Sequence, residues 1–178
     1  MRLAEEQHFI THDGTTLFYR YWPPVGSARP ERALLLLHRG HEHSGRLQHV
    51  VDELRLDDFA MFAWDARGHG RSPGQRGDSP SFSALVKDVD CFVRHVSERH
   101  AIAANQLAVI GQSVGAVLAA TWVHDYAPQI RCMVLTAPAF QVKLYVPLAR
   151  PGLALLQRLF GNFFITSYVK AKFLTHDA

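Results

Sequence analysis

Ser113 is the side chain whose neighbours best equip it for chemistry. It lies within Leu107-Ala108-Val109-Ile110-Gly111-Gln112-Ser113-Val114-Gly115-Ala116-Val117-Leu118-Ala119-Ala120. The left half is a short apolar run with β-branched residues, the pattern of a buried strand. The right half is small and apolar, suited to a helix lying close against a sheet. Between them, Gly111-x-Ser113-x-Gly115 predicts a strand that becomes a helix within about one residue. Such a corner forces strained dihedrals on the serine, and flanking glycines remove the Cβ clashes that would forbid it. The hydroxyl is then held out at the carboxyl edge of the sheet, beside the Val114 N–H in a helix's first turn. That chemistry is nucleophilic attack on an acyl carbon.

Acyl transfer by a serine needs a base for its proton, an acid to orient the base, and N–H donors for the oxyanion. Val114 N–H supplies one donor. A second is expected from the loop after the apolar run Arg32–Leu37, which ends at the same sheet edge. That loop reads His38-Arg39-Gly40-His41-Glu42-His43-Ser44-Gly45-Arg46. No base follows from spacing. His124 lies eleven residues beyond Ser113, about 16 Å along a helix, and Asp125 shares its fate. His38 and His69 fall at the correct edge, but nothing in their spacing makes either a base. His176 and Asp177 have no strand to position them. His41 and His43 bracket Glu42, an alternation that fits a polar rim better than a metal site, and no metal or cofactor is expected.

The elements that must hold these residues follow from periodicity. Runs at 7–12 and 15–22 flank Asp13-Gly14, which predicts a two-residue hairpin between antiparallel strands. Arg32–Leu37, Phe59–Trp64, Leu107 to the serine corner, and Ile130–Ala137 read as buried strands. Leu47, Val50, Val51 and Leu54 mark a helix face. Phe82, Leu85, Val86, Val89, Phe92, Val93 and Val96 mark a longer one, with Ser79-Pro80 as its expected cap. Strands alternating with helices predict an α/β fold: a mostly parallel sheet, helices on both faces, and an antiparallel hairpin at the N-terminus. From Pro138 the pattern changes to helix-like pieces, Leu153–Phe160 and an aromatic-rich stretch from Phe163 to Phe173. We read 1–137 as the core and 138–178 as the start of a helical cap above it.

Composition narrows the function classes. The 178 residues are 48% hydrophobic and 20% charged with a formal charge of +3, a globular balance. Basic residues are scattered among acidic ones, which argues against a nucleic-acid partner. Met1 to Glu6 lacks the apolar stretch of a secretory signal, and no run reaches the length of a membrane span. Cys91 and Cys132 are expected as small buried groups. A disulfide between them is possible in principle, but a reducing, cytoplasmic setting suits them better.

The loop His38 to Arg46, Asp65-Ala66-Arg67-Gly68-His69-Gly70-Arg71-Ser72, and Gly111 to Gly115 occur in an order and strand context that resemble one branch of the α/β-hydrolases. It is the monoacylglycerol lipase and lysophospholipase branch, grouped with serine aminopeptidase-like hydrolases. The resemblance implies a Ser113 acyl-enzyme and hydrolysis of lipid-like esters such as monoacylglycerols or lysophospholipids, with at most transient membrane-surface contact. It implies Gly40 and Val114 N–H groups as the oxyanion hole. Glu42 and Arg46 would line the polar end of the substrate pocket; a loop-stabilising ion pair between them is the other reading. Asp65, Arg67 and His69 would mainly shape the neighbouring loop. One departure stands out: the family's glycine after the loop histidine is Arg39 here, so Gly40 is expected to carry the backbone freedom. By the same resemblance the triad acid and histidine follow later strands, not present in this chain, which looks truncated after the start of the cap. Two alternatives stay open. One is a catalytically incomplete pseudoenzyme acting at most as a ligand-binding module. The other is a serine hydrolase of a short ester, thioester or peptide.

Overall fold

A computed structural model describes residues 1–26, 30–140 and 149–161. The described part of Met1–Phe140 forms one unit, and the helix α4 (Ala149–Phe160) belongs to another, Gln141–Ala178. In the first unit the strands are β1 (Glu5–Ile10), β2 (Thr16–Trp22), β3 (Arg32–Leu37), β4 (Phe59–Trp64), β5 (Leu107–Gln112) and β6 (Cys132–Thr136). The helices are α1 (Gln48–Leu54), α2 (Phe82–His100) and α3 (Val114–Tyr126). The sheet runs β1-β2-β4-β3-β5-β6. β1–β2 and β2–β4 pair antiparallel, and the remaining neighbours pair parallel. The mostly parallel α/β sheet with an N-terminal hairpin is therefore present.

This order matters more than the count of strands. β3 lies between β4 and β5, and all three are parallel. Their carboxyl ends share one edge, so the loops after β3 and β4 meet the corner after β5. β3 shows why the sheet is central. Ala33, Leu35 and Leu37 face one core with α2 and α3, including Phe62, Trp64, Val89, Phe92 and Trp122. Leu34 and Leu36 face the other with Leu47, Val51, Met61 and Trp22. Strand alternation sends successive side chains to opposite faces, so the five-residue apolar run from Ala33 to Leu37 fills both.

Four expectations change in detail. Asp13-Gly14 does not make a two-residue loop. Gly14 N–H donates to Thr11 O at 3.0 Å and Gly14 adopts φ 83°, with Ile10 and Thr16 the last paired residues. That is a longer turn closed by a left-handed glycine. The α2 cap is Ser81, whose hydroxyl accepts the Ala84 N–H at 3.0 Å. Ser79 lies too far upstream to reach the orphan donors. Cys91 is half-buried and Cys132 exposed. Cys132 pairs with Ala108 on the face covered by α1. That helix has seven residues, about 10 Å of length. Among the described residues nothing covers this end of edge strand β6, where Val134 is also 47% exposed. Finally, α4 extends back through Pro151 and Gly152 to Ala149. A proline in the first turn forfeits no helical hydrogen bond. The stretch expected at 163–173 lies outside the described residues, and among those described no helix is long and apolar enough to cross a membrane.

The last turn of α2 packs histidine against aromatics. The His100 ring centre is 4.5 Å from Tyr21 and 4.8 Å from Phe62, and its buried Nε2 has no hydrogen-bond partner. Burial, reinforced by Arg99 and His95, pulls its pKa down to about 4. A histidine whose folded pKa lies below the unfolded value of about 6.5 stabilises the fold fully above that value. The contribution is lost as pH falls from 6.5 through 4, because the unfolded chain binds the extra proton. Urea midpoints at pH 7 and pH 5 should therefore differ less in His100→Phe than in the wild type. An equal pH response in both would disprove the linkage.

Candidate active site

The serine corner is built as the glycine spacing predicts. Ser113 adopts φ 53° and ψ −113°, a sparsely populated region for a residue with a side chain, costing about 1–3 kcal/mol. The glycines are required by close approach. A Cβ on Gly111 would stand 2.5 Å from Gly115 O, and one on Gly115 would stand 2.3 Å from Leu37 O. Gly111 thus lets α3 turn back onto β5, and Gly115 lets α3 press against the end of β3. The corner is also tied to β6, since Ser113 N–H donates to Thr136 O at 2.9 Å. That bond occupies the serine's own amide. Val114 N–H opens α3 and has no intrahelical acceptor. It is one residue past a half-buried Ser113, and its side chain is 41% exposed.

The loop after β3 meets this corner. A Cβ placed on Gly40 would lie 3.9 Å from Val114 Cγ2, so Gly40 and Val114 are neighbours across the gap. Neither Arg39 nor Gly40 takes a positive φ; the left-handed residue is His41, at φ 61°. The turn falls one residue later than Gly40, where expected, and the bulk of Arg39 costs nothing because its side chain leaves toward solvent. There its guanidinium pairs with Glu42 at 2.8 Å. The ion pair of this loop is therefore Arg39–Glu42, three residues apart, in place of one between Glu42 and Arg46. Arg46 and Glu42 still line one cleft of about 520 Å³ with Arg39, His49, Leu36 and Ile110. His43 is committed to the backbone, its Nδ1 accepting Gly45 N–H at 3.2 Å.

The segment after β4 acts as a clamp. Asp65 is buried, with Oδ1 accepting Ser44 N–H at 2.6 Å and Oδ2 accepting Arg71 N–H at 2.8 Å. One carboxylate thus joins the loop after β3 to the loop after β4. His69 Nδ1 meets Arg67 O at 2.8 Å. Arg67 turns the other way and is bidentate to Asp88 of α2, at 2.5 and 2.8 Å, while also reaching Thr11, Asp13 and Thr15 of the β1–β2 turn. Those bonds raise the Arg67 pKa further above its ordinary value, Asp88 contributing most, and Arg67 holds the Asp13 carboxyl well below the usual range. These three residues shape the loop, as the resemblance implied. Asp88 itself was not foreseen. Its signal was available: it sits between Leu85 and Phe92 on the apolar stripe of α2, where a carboxylate needs a partner.

Two of the histidines weighed as bases are engaged in other contacts. His38 is buried; Ala66 N–H donates to its Nε2 at 3.0 Å and its Nδ1 meets Arg39 O at 2.7 Å. His124 is exposed and pairs with Asp125 at 2.8 Å. His176 and Asp177 lie outside the described residues. The arrangement gathers a strained serine, the first amide of α3 and the Gly40 loop at one edge, with a mixed polar and apolar cleft alongside.

Comparisons with known proteins agree with this fold. A family model described as serine aminopeptidase, S33 matches residues 28–178. The uncharacterized protein YnbC of Escherichia coli strain K12 is 59% identical over 176 residues, 99% of this chain and 30% of that protein. Human monoglyceride lipase is 33% identical over 132 residues, 74% of this chain and 42% of that enzyme. The chain thus spans less than half the length of these curated relatives. Among solved structures, a monoacylglycerol lipase of Paleococcus ferrophilus superposes with a TM-score of 0.67 at 22% identity, covering 98% of this chain and 59% of the other. On the extent of the family match, together with this fold, the chain belongs to the serine aminopeptidase S33 family of α/β-hydrolases.

Proposed function

We propose that this chain carries the nucleophile and oxyanion hole of a serine hydrolase that cleaves lipid-like carboxylic esters of the monoacylglycerol or lysophospholipid type. The observation that carries the reading is Ser113 at φ 53° and ψ −113°, at the first turn of α3. A strained serine persists where the surrounding structure over-determines it, and such strain concentrates at reactive sites.

The Ser113 hydroxyl attacks the ester carbonyl as its proton passes to a general base. The negative charge that develops on the carbonyl oxygen is received by the N–H groups of Val114 and Gly40. Collapse breaks the ester C–O bond, the base hands its proton to the leaving oxygen so that the alcohol departs, and water then hydrolyses the acyl-enzyme. Neither His38, held at both ring nitrogens, nor the exposed His124, paired with Asp125, is assigned as that base. Arg39, Glu42 and Arg46 supply the polar end of the cleft beside the corner, fit for a glycerol-type head group. We assign α4 to a cap and to contact with acyl chains or a lipid surface. Its exposed Leu155, Leu159 and Phe160 support that assignment.

Two measurements on the intact protein test the reading. A fluorophosphonate probe should label Ser113, because attack on phosphorus draws on the same serine and donors. Among glycerol esters, medium and long acyl chains should be cleaved faster than acetyl. Labelling at another residue would refute the nucleophile, and a flat chain-length profile would refute the lipid-like substrate.

A further inference from the structure

We infer that His38 is the positioning residue that aims the Gly40 N–H at the oxyanion, through its bond to the Arg39 carbonyl. The inference rests on the hydrolase reading above and adds a residue to it. The carbonyl of Arg39 and the amide of Gly40 belong to one peptide group. That group is planar and trans, so its C=O and N–H point in opposite directions. Whatever holds the oxygen therefore aims the hydrogen. His38 Nδ1 holds the oxygen at 2.7 Å. An oxygen only accepts, so Nδ1 carries the proton.

The other side of the ring enforces that choice. Ala66 N–H donates to Nε2 at 3.0 Å, which requires a bare nitrogen there. The neutral ring has one proton, and the two bonds together place it on Nδ1. Burial favours the neutral form, drawing the His38 pKa down, with His69 at 5.1 Å the adjacent ring. The Ala66 amide, at the start of the loop after β4, thus sets the tautomer of a histidine on the loop after β3. The tautomer in turn sets the peptide plane beside Ser113. This also explains why His38 takes no part as a base: both of its nitrogens are spoken for, and its task is geometric.

Asparagine and glutamine separate the two bonds. The Asn side-chain N–H stands where Nδ1–H does, so His38→Asn keeps the donor to Arg39 O and drops the acceptor for Ala66. Glutamine reaches the Nε2 position, so His38→Gln keeps the acceptor and drops the donor. In the intact protein, His38→Gln should lower kcat about 10- to 100-fold with KM little changed, somewhat less than outright loss of an oxyanion donor. Affinity for a boronic-acid mimic of the tetrahedral intermediate should fall by a similar factor, while a non-hydrolysable ether analogue binds as before. His38→Asn should keep kcat within about three-fold. Comparable kcat in the Gln variant and the wild type would overturn the inference, as would losses in both variants that merely follow their melting temperatures. Should the Gln variant fail to fold, ring nitrogen shifts of ¹⁵N-histidine-labelled wild type decide the matter: a proton on Nε2 of His38 overturns the inference. Fluorophosphonate labelling keeps the two readings apart. A wild type unlabelled at Ser113 removes the hydrolase reading and this inference with it; labelling with an unaffected Gln variant removes this inference alone.

Discussion

Ser113→Ala in the intact protein should lower ester turnover by about four to six powers of ten while leaving KM within a few-fold of wild type. The size follows from what the hydroxyl does. In the proposed mechanism no acyl-enzyme forms without it, and the assigned donors, Val114 and Gly40, would assist only direct attack by water. Such residual assistance still reaches about three powers of ten over the uncatalysed rate, so a trace of activity is expected. The variant is also a clean one. Alanine keeps the Cβ and the left-handed backbone at φ 53°, and the structural bonds at this position are made by backbone atoms, from Ser113 N–H to Thr136 O and from Ala116 N–H to Ser113 O. Thermal unfolding should therefore be unchanged. Turnover within ten-fold of wild type would mean that another group is the nucleophile.

Arg67→Ala should have the largest effect on stability, about 3–5 kcal/mol, as expected when a buried pair loses one partner. Asp88 is fully buried and receives two of its bonds from the Arg67 guanidinium, with His12 Nδ1 at 3.2 Å as the other close nitrogen. Removing Arg67 strands that carboxylate away from water. It also releases Thr11, Asp13 and Thr15, so the β1–β2 turn, the loop after β4 and α2 lose a common anchor. The double variant Arg67→Met with Asp88→Leu should recover most of the loss, because apolar groups of similar volume carry no uncompensated charge. Urea unfolding of the three proteins checks this. A double variant as unstable as Arg67→Ala would show that the network acts through packing, with charge a minor part.

The resemblance to monoacylglycerol lipases was legible because its motifs are local in sequence, while the roles of their residues are set by partners far along the chain. Glu42 illustrates the difference. Its sequence neighbours offered two cations, Arg39 and Arg46, and only the turn at His41 selects Arg39. Cys132 illustrates it again: an apolar strand pattern marks a residue as suited to burial, but burial depends on what packs over that face of the sheet.

By itself the sequence determined whatever depends on dihedral angles and on side chains a few residues apart. The serine corner is of this kind, since Gly111 and Gly115 are needed wherever a strand turns abruptly into a helix. So are the buried β3, β4 and β5 runs and the apolar stripe of α2. Tertiary structure alone decided what those elements bring together. Strand order places β3 between β4 and β5, although the chain makes β4 after β3. That puts His38 between Arg39 O and the amide of Ala66, twenty-eight residues away. It likewise sets Asp65 against Ser44 and gives Arg67 the buried Asp88. The physical reason is range: steric and propensity terms act over one or two turns of chain, whereas hydrogen bonds between loops exist only after the sheet has chosen its neighbours.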